Sequence, residues 1–197
     1  MRSWFRRTPL GEARWAAIDC ETSGLDAARD RLLSVGVVPV LEGRIALGAR
    51  FAALVRQEVA SAPANILIHG IGGDAQRDGL LLQEVISNLA ASVGDAIPVA
   101  FHAPFDAAVL KRHGFRARAP WHDLAVLAPI LFPGRKAKVL DDWLAEFGIA
   151  THARHDALGD AFATAQLLLI ALAEAKRQGV QTVEALRQLE GGSRWLK

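Results

Sequence analysis

Two carboxylates, Asp19 and Glu21, stand two residues apart in the run Trp15-Ala-Ala-Ile-Asp-Cys-Glu. On a strand, side chains at i and i+2 share a face, so both acids project together. Like charges so placed repel and cost stability unless a cation or hydrogen bonds offset them. A solvated strand end would tolerate the pair. The apolar neighbours and the following turn, Thr22-Ser23-Gly24, favour a metal site instead. Asp-x-Glu alone is a weak motif.

Two more acids deepen the pattern. Asp106 closes Val99-Ala-Phe-His-Ala-Pro-Phe-Asp, where a buried-type strand runs into a helix. Taken singly, it reads as a helix-start carboxylate favoured by the dipole. Asp160 lies inside a long helical segment whose residues one turn away, Asp156, Ala157, Ala163 and Thr164, are mostly small. That face can approach a sheet closely, and an acid on it needs a partner, because an unpaired buried charge is costly. His155 precedes Asp160 by five residues, about 140° around a continuous helix. The two side chains converge only if His155 sits in the loop before the helix. There it reads either as a surface histidine or as a base titrating near working pH.

Carboxylates from three segments suit Mg²⁺ or Mn²⁺, hard ions that keep room for substrate phosphates. Two such ions, roughly 4 Å apart, would activate water and stabilise a leaving oxygen. No Cys/His cluster suggests structural zinc, no Gly-rich Walker loop is present, and no serine sits in a nucleophile elbow. Cys20 is the only cysteine, so no intrachain disulfide forms. Alternation points it away from its two acidic neighbours, as a core thiol.

The elements that must position these groups follow from patterning. Residues 15–21, 31–40 and 44–54 read as strands, the last two joined by a short Leu41-Glu42-Gly43 hairpin. Residues 55–75 read as irregular. Helices are expected over 80–93, from Pro104 to about 113, and over 123–131, 140–147, 156–177 and 181–189, with a short strand at 97–101. Three meandering strands followed by alternating helices and strands indicate an α/β fold with a mixed sheet. At 197 residues, 51% hydrophobic, the chain suits one domain with a sizeable core. The expected limits are an N-terminal extension over 1–13, a catalytic domain over 14–177, and a C-terminal helix and tail over 178–197.

A net charge of +2 neither demands nor excludes a polyanionic partner. Three basic clusters (Arg2, Arg6, Arg7 and Arg14; residues 112–118; Arg135-Lys136-Ala137-Lys138) point to phosphate only if they flank the acids. The N-terminus does not read as a signal peptide, and charges break the apolar stretches, so no membrane span is evident. A lone cysteine fits the cytoplasm.

The ordered motifs resemble the DEDDh group of 3′–5′ exonucleases, which includes the proofreading epsilon subunit of bacterial DNA polymerase III. Ile18-Asp-Cys-Glu-Thr-Ser-Gly-Leu25 is similar to the first motif and Phe101-His-Ala-Pro-Phe-Asp106 to the second. His155-x4-Asp160, with Ala161 and Thr164-Ala165, is similar to the third. Ile68-His-Gly-Ile71 resembles a further segment of that group. The resemblance spans about residues 14–175 and implies an RNase H-like mixed five-stranded sheet with helices on both faces. It implies that Asp19, Glu21, Asp106 and Asp160 hold two metal ions and that His155 deprotonates the attacking water. It places Thr22, Leu25 and His69 near the substrate, although Leu25 could equally be core. The second motif commonly reads His-Asn-Ala-x-Phe-Asp, so Phe101 and His102 are departures that alter local nucleic-acid contacts.

The implied substrate is the 3′ end of single-stranded DNA. Small RNases of the group often carry Glu-Met-Thr-Gly where this chain has Glu21-Thr-Ser-Gly24, which leans towards DNA over RNA. RNA trimming by the same chemistry is the alternative. A non-catalytic nucleic-acid binder, using the basic clusters and tryptophans, is a third reading, disfavoured because converging acids repel phosphate. No clamp- or polymerase-binding tail is evident after Asp160. Oligomeric state is left open.

Overall fold

A computed structural model describes residues 8–151 and 154–192. Its strands are β1 (Trp15–Thr22), β2 (Leu32–Leu41), β3 (Arg44–Ile45), β4 (Phe51–Leu54), β5 (Ile97–Ala100) and β6 (His122–Asp123). The sheet order is β3-β2-β1-β5-β6, with β4 also on β2. The β1–β2 pair is antiparallel, and β1–β5 and β5–β6 are parallel, so the sheet is mixed as expected.

The strand count is six rather than five. One expected third strand, 44–54, breaks at a 3₁₀ turn over Leu47–Ala49 into β3 and β4, which pair with successive stretches of the same β2 edge. The sheet is therefore five positions wide. Residues 122–123, expected in part as helix, form β6, and Asp123 then caps the helix that follows.

The helices are α1 (Pro63–His69), α2 (Gly73–Arg77), α3 (Leu82–Val93), α4 (Ala103–Arg112), α5 (Leu124–Leu131), α6 (Leu140–Glu146), α7 (Ala157–Arg177) and α8 (Val183–Gly192). Residues 55–75, expected as irregular, contain α1 and the start of α2. Pro63 opens α1, and Gly70, at φ 68°, closes it.

Alternation along β1 divides the core. Trp15 and Ala17 face one cluster, with Leu127 of α5, Trp143 of α6 and Leu167 and Leu168 of α7. Ala16, Ile18 and Cys20 face the other, with Val85 and Leu89 of α3 and Val109 and Leu110 of α4. Helices thus cover both faces, as expected. The flanking segments join the first cluster: Leu10, Val183 and Leu186 are buried in it, and the Leu10 amide donates to Gln181 O at 3.0 Å.

By length and composition α7 could cross a membrane, contrary to the expectation that no stretch would. In the fold it is the central helix, packed on β1 and β2 and buried along one side. The small residues at its start matter. A Cβ on Gly36 of β2 would lie 2.3 Å from the Ala157 carbonyl oxygen, so only glycine admits the helix start at that distance. Gly36 is the register partner of Asp19, which brings the first turn of α7 beside the acids of β1.

Candidate active site

Three chain segments meet at the C-terminal end of β1. Asp19 and Glu21 project from the strand on the face that α7 covers. The β1–β2 register slips between Glu21 and Thr22, a bulge that ends the regular ladder beside the acids. Asp106 lies in the first turn of α4, behind Pro104, as expected. Asp160 lies in the first turn of α7, whose start is capped by Asp156 accepting from the Gly159 amide at 2.8 Å.

His155 sits just ahead of that helix at φ 58°, a left-handed conformation that lifts it out of the helical path. The loop placement that convergence required is therefore present. Its backbone N–H donates to Asp160 Oδ2 at 3.1 Å, and its ring is exposed. Ligand atoms of Glu21, His155 and Asp160 lie within 4.8 Å of one another. A cleft of about 440 Å³ is lined by all five expected residues, Asp19, Glu21, Asp106, His155 and Asp160.

The electrostatics are those of acids brought together. Burial, then Asp106 and Glu21, pushes the Asp19 carboxyl well above the usual range, against the opposing charge of Arg154. Burial, then Asp156, raises Glu21 to about 7, again opposed by Arg154. Burial raises Asp106 to about 7, although the Cys20 thiol and backbone N–H groups donate to it. Cys20 thus points away from Asp19 and Glu21, as alternation requires, yet it is more than core packing because its thiol meets Asp106. Burial first, then the charge of Asp106, raises that thiol. A divalent cation would reverse this proton uptake by favouring the ionised oxygens. Hard oxygen donors from three segments fit such an ion.

The weaker site expectations divide. Leu25 is 93% exposed on the cleft rim, so it is not core. His102 also lines the cleft; it is an exposed left-handed residue at φ 66° that caps α4. Thr22 is half-buried, and its hydroxyl donates to Gly24 O at 2.5 Å, shaping the turn. His69 is not among the cleft residues. It is buried where α1 ends, with Nε2 3.2 Å from Ser61 Oγ and Nδ1 accepting from the Ile71 amide at 3.0 Å. Burial lowers its pKa.

Sequence reasoning overlooked three residues. Gly36 admits α7. Asp123 accepts from the His102 amide at 2.9 Å and the Ala125 amide at 3.0 Å, tying the α4 start to β6. Arg154 pairs with Asp160 and with Asp141 of α6. Its position directly before His155 was the available signal. Of the basic clusters, Arg2, Arg6 and Arg7 fall outside the described residues. Arg112 donates to the Ala27 and Asp30 carbonyls, and Arg118 pairs with Asp95. Arg135 pairs with Glu146 and lies over the Phe147 ring, and none of residues 135–138 lines the cleft of the acids.

A profile of exonucleases of the RNase T type matches residues 16–168. The chain belongs to this exonuclease family. It is 30% identical over 186 residues to a DNA polymerase III subunit epsilon-like protein of Rhodobacter capsulatus, covering 91% of this chain and 26% of that protein. It is 30% identical over 190 residues to the PolC-type DNA polymerase III of Bacillus subtilis, covering 93% and 13%. The chain therefore spans about a quarter or less of these relatives. Exonuclease X, solved with 5′-overhanging duplex DNA, superposes with a TM-score of 0.72 at 25% identity, over 89% of this chain and 99% of that one. Exonuclease I of E. coli, solved with a dT13 oligonucleotide, gives 0.71 at 16% identity over 84% and 42%, a likeness of fold. Membership of the exonuclease family, expected from the motifs, and the α/β fold, expected from the patterning, are both borne out.

Proposed function

We propose that this chain is a 3′–5′ exonuclease that removes nucleoside 5′-monophosphates from single-stranded DNA ends. Asp19, Glu21, Asp106 and Asp160 hold two Mg²⁺ or Mn²⁺ ions, and His155 is the general base. The observation that carries the reading is the convergence of four acids and one histidine in a single cleft, where burial raises the pKa of Asp19, Glu21 and Asp106. A fold does not need mutually repelling carboxylates at that position; a cation-binding site does.

The bound ions would polarise the phosphate and lower the pKa of the attacking water. His155 accepts the water's proton from its exposed loop position, and its backbone N–H steadies Asp160. The new P–O bond forms on the side opposite the leaving 3′ oxygen, the P–O3′ bond breaks, and the departing 3′ oxygen takes a proton from solvent. Leu25, exposed on the rim, offers an apolar surface to the terminal base, and His102 lies against the strand. DNA is favoured because the two exonucleases named above were solved with DNA.

The test is a pair of 5′-labelled oligonucleotides of identical sequence, one DNA and one RNA, incubated with Mg²⁺. Stepwise shortening of the DNA from its 3′ end, stopped by chelator, is expected. Cleavage of RNA alone would transfer the mechanism to RNA trimming. Cleavage that survives chelation would overturn it.

A further inference from the structure

Arg154 is the residue of this site that the acid-and-base scheme does not use. Its guanidinium joins an inner acid to an outer one: Nη1 meets Asp160 in the first turn of α7, and Nε meets Asp141 in the first turn of α6. The Arg154 side chain is 25% exposed and that of Asp141 is 60% exposed, so the pair is open to solvent beside Asp160, which lines the cleft. A guanidinium stays charged at any working pH and carries five donors in a planar fork suited to phosphate oxygens.

The substrate supplies the reason for such a group. A phosphodiester entering a cleft lined by carboxylates is repelled by them. Cations bound among the inner acids would neutralise that side only. We propose that Arg154 is a phosphate-binding catalytic residue, anchored by Asp141 and turning its fork from Asp160 to the non-bridging oxygens of the scissile phosphate. This assignment rests on the exonuclease reading. With Asp160 engaged as a metal ligand, the Nη donors of Arg154 would be free to turn, while the Nε contact to Asp141 would hold the guanidinium in place. Asp141 is then a positioning residue. The opposing account makes Arg154 a neutraliser of crowded acids with no contact to substrate.

The test uses the full chain with Arg154→Ala, Arg154→Lys and Asp141→Asn, measuring turnover of a labelled single strand and Mn²⁺ affinity by calorimetry. Arg154→Ala should lower kcat/KM about 100-fold, the scale of losing one preorganised donor to a developing oxyanion. Arg154→Lys should recover part of that, because an ammonium keeps the charge without the fork. Asp141→Asn should cost less than Arg154→Ala. Mn²⁺ affinity in Arg154→Ala should be unchanged or tighter, because a competing cation is gone. Wild-type kcat/KM in Arg154→Ala would overturn the assignment, as would a loss of Mn²⁺ affinity as large as the loss of turnover. An active wild type with an unaffected Arg154→Ala sinks this assignment alone. An inactive wild type sinks the exonuclease reading and this one with it.

Discussion

Two buried polar clusters in this molecule obey opposite rules. Around His69, the Gln76 side chain donates to Ser61 Oγ at 2.9 Å and to Ile71 O at 2.8 Å, and it accepts from the Ser61 amide at 2.8 Å. Both imidazole nitrogens are within hydrogen-bonding distance of a partner. Donors meet acceptors, no net charge is buried, and the cluster pins α1 to α2. At the end of β1 the same chain gathers Asp19, Glu21 and Asp106, acceptors whose pKa values burial raises. A polar cluster that exists for the fold closes its own hydrogen bonds. One that exists for a ligand leaves like charges facing each other and waits for the cation that reconciles them.

Substitutions should separate the two clusters. Asp19→Ala removes a metal ligand and should reduce nuclease turnover by 10³-fold or more, on the order of the largest single-donor losses. The chelated protein should lose no thermal stability, because one of three repelling acids is gone. His155→Ala should cost on the order of 10²–10³-fold in turnover, the range for a positioned base. Gln76→Ala should do the reverse: about 1–3 kcal/mol of stability lost, from the Ser61 and Ile71 groups left unpaired, with turnover per folded molecule unchanged. Chemical denaturation and single-strand turnover on the same preparations check all three. A Gln76→Ala protein that is stable but inactive would erase the distinction.

The smallest effect is on pH. Asp106 and Glu21 titrate near 7 in the folded chain against ordinary values of 3.8 and 4.5. The folded state therefore binds protons that the unfolded chain has released. Their contribution to stability is fully present below about pH 4 and is lost as pH rises towards 7. With chelator present, Tm should fall across that window, and Asp106→Asn should flatten the fall. Saturating Mn²⁺ should reverse the slope, because the ion binds the ionised acids.

The chemistry of the site was more legible in the sequence than its supports. Asp19 and Glu21 could be paired from strand alternation, Asp106 from the strand-to-helix switch at Pro104, and His155 from the mismatch between five residues and a helical turn. Each placement used local periodicity, which sequence carries directly, while the shared metal-and-base role came from the resemblance to the DEDDh motifs. Gly36 lies in a run of valines with no local mark of importance; its role comes from α7, more than a hundred residues later, lying on it. Asp123 looked like a helix start and is one, but its second acceptor bond, to the His102 amide, exists only because β6 pairs with β5. His69 shows the converse. Its segment resembled a substrate-facing motif, yet tertiary packing turned the ring inward to Ser61. The third strand broke at Leu47–Ala49 because its β2 edge is served in two stretches, which no residue pattern announces.

The central claim is that the β1 acids are a cation site kept partly protonated until the cation arrives. Calorimetric titration of Mn²⁺ near pH 7, repeated in two buffers of different ionisation enthalpy, measures it directly. The account predicts binding accompanied by proton release, with Asp106→Ala losing both affinity and released protons. Binding with no proton release, or affinity indifferent to Asp106, would contradict it.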